Sequence, residues 1–113
     1  MLRPFLIATA LSVVVVFSGS AVASAGTCSA PKYPGSGYFT SLKVTGVSCS
    51  TGKKVTLAHY RCRVKHGKTG RCTSKVLGYS CSERRRSIET EIDGTVTCKR
   101  GSKKVVYSYQ QDT

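Results

Sequence analysis

The chain has no tryptophan and no asparagine, and its one methionine is the first residue. Without Asn there is no N-glycosylation acceptor. Without Trp, and with only three Phe, large apolar side chains are too scarce to stabilise a short chain by burial alone. Acidic residues are scarce as well: five Asp and Glu stand against 18 Lys and Arg, a formal net charge of +13. No Cys-x-x-Cys pair is present, which removes the usual spacing of a structural metal site, and no cofactor is expected. Gly46 to Lys53 resembles a phosphate loop but fails it: five residues separate Gly46 from Gly52, and Lys54 stands where Ser or Thr is required. The longest apolar stretch, Phe5 to Phe17, is shorter than the about 20 residues that cross a bilayer.

That stretch follows Arg3 and ends in small residues, Ala23-Ser24-Ala25, an A-x-A cleavage pattern. Residues 1–25 therefore read as a secretory signal peptide, and the mature protein as secreted, with no stable membrane insertion once the signal is removed. A lipid anchor on Cys28 is the rival, but Ala25-Gly26-Thr27 match its preceding sequence poorly. Cleavage after Ala25 removes Arg3 alone among the charged side chains and leaves all six cysteines in place: Cys28, Cys49, Cys62, Cys72, Cys81 and Cys98. An even count in a short exported chain reads as a disulfide framework. Each bridge contributes about 2–4 kcal/mol by restricting the unfolded chain.

Residues 26–38, with Pro31 and Pro34, read as a Gly- and Pro-rich arm, and residues 39–113 as one small domain. Thr40 to Val47 alternates as a half-buried strand. Ser50 to Val64 admits two patterns. A helix capped by Ser50 or Thr51 would place Val55, Ala58, His59 and Cys62 on one face; a strand would alternate Thr56, Ala58, Tyr60, Cys62 and Val64. The helix is favoured, although Gly52 weakens it. Lys65 to Ser74 reads as a basic loop, Lys75 to Cys81 as a strand, and Ser82 to Ser87 as a charged loop. Ile88 to Cys98 reads as one long strand with a bulge near Gly94. A two-residue turn at Arg100-Gly101 would put Val96 opposite Val105, Gly94 opposite Tyr107 and Cys98 opposite Lys103. The final strand then runs from Lys103 to Tyr109, with Gln110 to Thr113 frayed. The expected fold is α+β: one short helix packed on a roughly four-stranded antiparallel sheet. The expected bridges are Cys28–Cys49, Cys62–Cys72 and Cys81–Cys98, the last between neighbouring strands.

The segments Val44-Thr45-Gly46-Val47-Ser48-Cys49, Gly78-Tyr79-Ser80-Cys81, Thr97-Cys98-Lys99-Arg100-Gly101 and Val105-Val106-Tyr107 resemble those of small secreted disulfide-containing proteins of actinobacteria. The likeness covers Phe39 to Tyr109. It implies export and a compact α+β domain, and it carries no catalytic residues to transfer. Two departures stand out: Gly52 replaces a usual Ala, and Cys62 with Cys72 forms an added pair.

Function is less legible. Clustered cations, among them Lys65, Lys68 and Arg71 in one segment and Arg84, Arg85 and Arg86 in another, attract polyanions by a salt-dependent force. The leading expectation is a non-enzymatic interaction domain that binds an anionic envelope component or an extracellular protein, with no specific nucleic acid. Tyr60, Tyr79, Tyr107 and Tyr109 would be stacking surfaces if exposed and core if not. One alternative is a ribonuclease-like hydrolase that uses His59 and His66 as acid and base. Another is a cationic antimicrobial or toxin, which the lack of a continuous amphipathic cationic helix disfavours.

Overall fold

The computed structural model describes Ala10, Ser12, Val13 and residues 25–113. The predicted signal segment, residues 1–25, lies outside the described residues except at those three positions and at Ala25. Strand β1 spans Ala25–Cys28 and β2 Gly37–Thr45; helix α1 spans Cys49–Val64; β3 is Ser80–Ser87, β4 Glu91–Arg100 and β5 Lys103–Asp112. The strands form one antiparallel sheet in the order β1-β2-β5-β4-β3, and α1 packs on one of its faces.

The α+β class holds, with five strands rather than four. The additional strand, β1, lies in the segment expected to be an arm. Its composition is poor for a strand, yet Gly26 pairs with Val44 and Cys28 with Leu42, while Cys28 is bridged to Cys49 at the start of α1. Tertiary context overrides local propensity here.

Residues 50–64 are helical, and the cap is Ser48 rather than Ser50 or Thr51. Gly46 (φ 69) turns the chain out of β2, Ser48 is extended, and its Oγ accepts a hydrogen bond from the Thr51 amide at 3.2 Å. The small size of Gly52 has a packing cause. A Cβ there would lie 2.5 Å from Val44 Cγ1, so the glycine lets α1 settle close on β2.

Several boundaries differ from the expected ones. Lys75 to Cys81 is not a strand. Val76 and Tyr79 exchange both backbone hydrogen bonds across Leu77 (φ 50) and Gly78 (φ 81), a tight turn, and β3 begins only at Ser80. The expected charged loop Ser82–Ser87 belongs to that strand. An edge strand tolerates charge, and its inward pair Glu83 and Arg85 is mutually neutralising. The long Ile88–Cys98 strand is divided: Ile88 is exposed in the hairpin turn, its amide bonded to the Glu91 carbonyl. Register runs unbroken through Gly94, and the bulge sits in β2 between Phe39 and Ser41. Gly94 is required because the Tyr109 ring occupies the space of a side chain.

The β4–β5 hairpin turns at Gly101-Ser102, so Arg100 faces Lys103, Val96 faces Tyr107 and Gly94 faces Tyr109. Each partner is two residues from the expected one, and a shift of two leaves every side chain on the same face. The tail is not frayed. β5 reaches Asp112, whose amide bonds the Ser36 carbonyl at 3.0 Å, and Gln111 is buried.

Disulfides join Cys28 to Cys49, Cys62 to Cys72, and Cys81 to Cys98, the last pair directly opposite each other on β3 and β4. The core lies between α1 and the sheet. Leu42, Val44, Val55, Val96 and Val105 supply its aliphatic part. Tyrosine takes the place of the missing tryptophan: Tyr33 meets Phe39 at 4.8 Å and Tyr60 at 5.0 Å between ring centroids, and Phe39 meets Tyr107 at 5.6 Å.

Candidate functional site

The sheet face turned away from α1 is the first candidate. Because Ile92, Val96 and Cys98 point into the core, the alternation of β4 sends Asp93, Thr95, Thr97 and Lys99 to the other side. The register sends Lys43 from β2, Lys104, Val106 and Ser108 from β5, and Ser80, Ser82, Arg84 and Arg86 from β3 to that same side. Among the described residues no element covers this face. It is hydroxyl-rich, with Thr95 and Ser108 hydrogen-bonded to each other at 3.1 Å. A shallow trough lined by Ser80, Ser82, Arg84, Thr95, Thr97, Lys99 and Lys104 runs across β3, β4 and β5.

The carboxylates of this face gather at one end, where Arg86 is the cross-strand partner of Asp93. Glu91, Asp93 and Asp112 lie toward the β3–β4 turn, and Glu89 is in the turn itself. Glu83, the remaining acid of the five, points inward. The opposite end, at the β4–β5 turn, carries only cations. There Lys99 is the cross-strand partner of Lys104, and Arg100 of Lys103. Like charges placed directly opposite each other destabilise a sheet, and among the described residues the only ion pairs are those of Arg71 and Arg85 with Glu83. The cation cluster thus opposes folding mildly and is left without a carboxylate neighbour.

The inner face holds a second polar group of residues, and it is closed. Arg63 is fully buried; it donates to Gln111 Oε1 and to the Tyr33 hydroxyl, both at 2.8 Å, and its guanidinium carbon lies 4.1 Å from the Tyr109 ring centroid. Tyr33 also donates to Gln111 Oε1 at 2.6 Å, and Gln111 Nε2 donates to the Lys68 carbonyl. Glu83 Oε2 accepts from Arg85 Nε at 2.5 Å and from the Tyr109 hydroxyl at 3.1 Å. His59 is buried and hydrogen-bonded through Nδ1 to the Tyr107 hydroxyl. Burial is the chief cause that lowers its pKa to about 4; burial likewise raises Tyr107 and lifts Tyr109 to about 12. These groups therefore stay neutral at physiological pH.

The structure distributes the sequence-predicted residues unevenly. His59 faces the sheet from the buried side of α1, whereas His66 is exposed beyond the helix end, in a hollow that His59 does not line. The two are not brought together as an acid–base pair. Lys65, Lys68 and Arg71 are exposed around the end of α1, Arg71 lying 3.8 Å from Glu83. Arg84 and Arg86 are exposed on the outer face, but Arg85 is turned inward. It donates to the Thr69 and Gly70 carbonyls at 2.7 and 2.8 Å and fastens the basic loop to β3. Burial works against its charge, but the Glu83 hydrogen bond and the electrostatic pull of Glu83 and Tyr109 together outweigh it, so its pKa is raised. Arg85 is thus already engaged and is no anion ligand. The possible stacking tyrosines are largely core: Tyr79, Tyr107 and Tyr109 are buried and Tyr60 is half-buried, while Tyr38 stands exposed near the acidic end. Lys43, Lys99 and Lys104 escaped notice as a group because only the order β2-β5-β4 makes them neighbours.

Among the described residues no cluster of three metal-ligating side chains occurs, and no helix is long and apolar enough to cross a membrane. No family model, curated protein or solved structure matches this chain.

Proposed function

We propose that the protein is an exported binding module, not an enzyme, and that its outer sheet face takes an anionic, hydroxyl-rich polymer of the cell envelope, of the polyol-phosphate class. The observation that carries this is the unneutralised cation cluster Lys43, Lys99 and Lys104, with Arg84 beside it, on an open face lined by Ser and Thr. The cations match phosphodiester charge, and the hydroxyls offer partners to a polyol. The lack of aromatic side chains in the trough disfavours single-stranded nucleic acid, whose bases need stacking surfaces. Three disulfides suit an oxidising, extracellular compartment.

The test is fluorescence anisotropy of labelled poly(glycerol phosphate) titrated with the oxidised protein over a range of salt. Replacing Lys43, Lys99 and Lys104 together by Gln should weaken binding and lower the log–log salt slope by about 2–3. Unchanged affinity in that triple variant sinks the proposal, as does tighter binding to oligo(dT) than to the polyol phosphate.

A further inference from the structure

A second cationic surface lies on the other layer of the molecule. Along α1 and its C-cap, Lys54, Arg61 and Lys65 fall at i, i+7 and i+11, one exposed line. Their direction is set by the buried face, Val55, His59 and Arg63, which holds the opposite side of the helix against the sheet. Arg61 and Lys65 also line a hollow completed by His66, Ser74 and Lys75, where the Cys62–Cys72 bridge clamps the following segment onto the helix end. No acidic residue occurs in α1 or in this hollow. Arg61 and Lys65 are like charges at i, i+4, which weakens a helix rather than supporting it. As on the outer sheet face, the charge has no structural use within the fold.

We infer that the domain is divalent: a single copy binds one anionic chain on the outer sheet face and a second chain on the α1 surface, and so cross-bridges the polymer. The inference rests on the polyanion-binding function proposed above. The sheet and the buried core lie between the two surfaces, so a short stretch of one chain does not occupy both, and each takes its own strand of the same polyol-phosphate class.

The experiment is light scattering of poly(glycerol phosphate) titrated with oxidised protein, run beside the anisotropy measurement. For a bridging protein, scattering rises, peaks, and falls again when excess protein saturates each chain separately. Two triple variants carry the decision: Arg61→Gln, Lys65→Gln, Lys75→Gln on the helix side, and Lys43→Gln, Lys99→Gln, Lys104→Gln on the sheet side. Each should still bind labelled polymer and each should leave scattering at the level of polymer alone. A third variant with the same loss of charge outside both surfaces, at exposed Lys32 and Lys68 and half-buried Lys53 (Lys32→Gln, Lys53→Gln, Lys68→Gln), should still bridge. Binding without a scattering peak in the unmodified protein overturns divalency, as does a helix-side variant that bridges normally or a control variant that does not. If the unmodified protein fails to shift anisotropy at all, the binding function itself falls, an outcome distinct from the failure of bridging.

Discussion

One sheet presents two faces with opposite characters, although the same strands build both. On the α1 side, the buried polar residues are engaged with one another: Arg63 with Gln111, Tyr33 and the Tyr109 ring, His59 with Tyr107, Glu83 with Arg85 and Tyr109, only Arg63 Nε and Glu83 Oε1 lacking a partner. At the β4–β5 end of the open side, cations stand next to one another with hydroxyls between them and no carboxylate beside them. Buried charge that is hydrogen-bonded to its neighbours sets the position of core residues. Exposed charge that repels its neighbours adds nothing to folding, and on the function proposed above it serves a ligand instead. Polar residues on the inner face should therefore govern stability, and those on the outer face should govern binding alone.

The strongest challenge to this division is Arg63→Ala. It removes two buried hydrogen bonds and the packing of a full side chain against Tyr109, and should cost about 3–5 kcal/mol in urea unfolding. A loss below about 1 kcal/mol would show that the inner network is dispensable. Next is the pH dependence of His59. Its pKa is about 4 when folded against 6.5 when free, so the unfolded chain binds the proton first. Stability is full above about pH 6.5 and falls as pH drops toward 4, by about 3 kcal/mol in total. His59→Gln should flatten that part of the pH–stability curve, and an unchanged slope would remove the assignment. Gly52→Ala sets a gain in helix propensity of about 1 kcal/mol against a collision with Val44, so a net loss of about 1–2 kcal/mol in thermal unfolding is expected. Smallest is the sheet-side triple Lys43→Gln, Lys99→Gln, Lys104→Gln, which should change stability by no more than about 0.5 kcal/mol while it weakens polymer binding. A large destabilisation there would erase the contrast between the faces.

Much of the fold was legible because period and face survive errors of boundary. Val96, Val105 and Tyr107 were placed on one side even though the hairpin turn is displaced by one residue. The α1 pattern was equally readable, since Val55 and His59 repeat at helical spacing whichever residue caps the helix. Two kinds of information were out of reach. The strand nature of β1 depends on β2 and on Cys49, both distant in sequence, and the consecutive arginines of β3 hide an alternation that becomes visible only when Glu83 is seen to pair with Arg85. The candidate site was legible in composition and not in arrangement. An excess of cations is plain in the sequence, but which of them share a surface depends on strand order, and Arg85 left the set because its partners are backbone carbonyls sixteen and fifteen residues away.

The gathering of Glu89, Glu91, Asp93 and Asp112 at one end of the sheet has a kinetic consequence. On the open face that end repels a polyanion, while the β4–β5 end, with Lys99 opposite Lys104 and Arg100 opposite Lys103, attracts one. For the polyanion proposed above, first contact on this face would then fall at the β4–β5 turn, with the carboxylates held away from it. Thr113, whose amide bonds the Thr90 carbonyl beside the acidic turn, would place a label there away from that first contact.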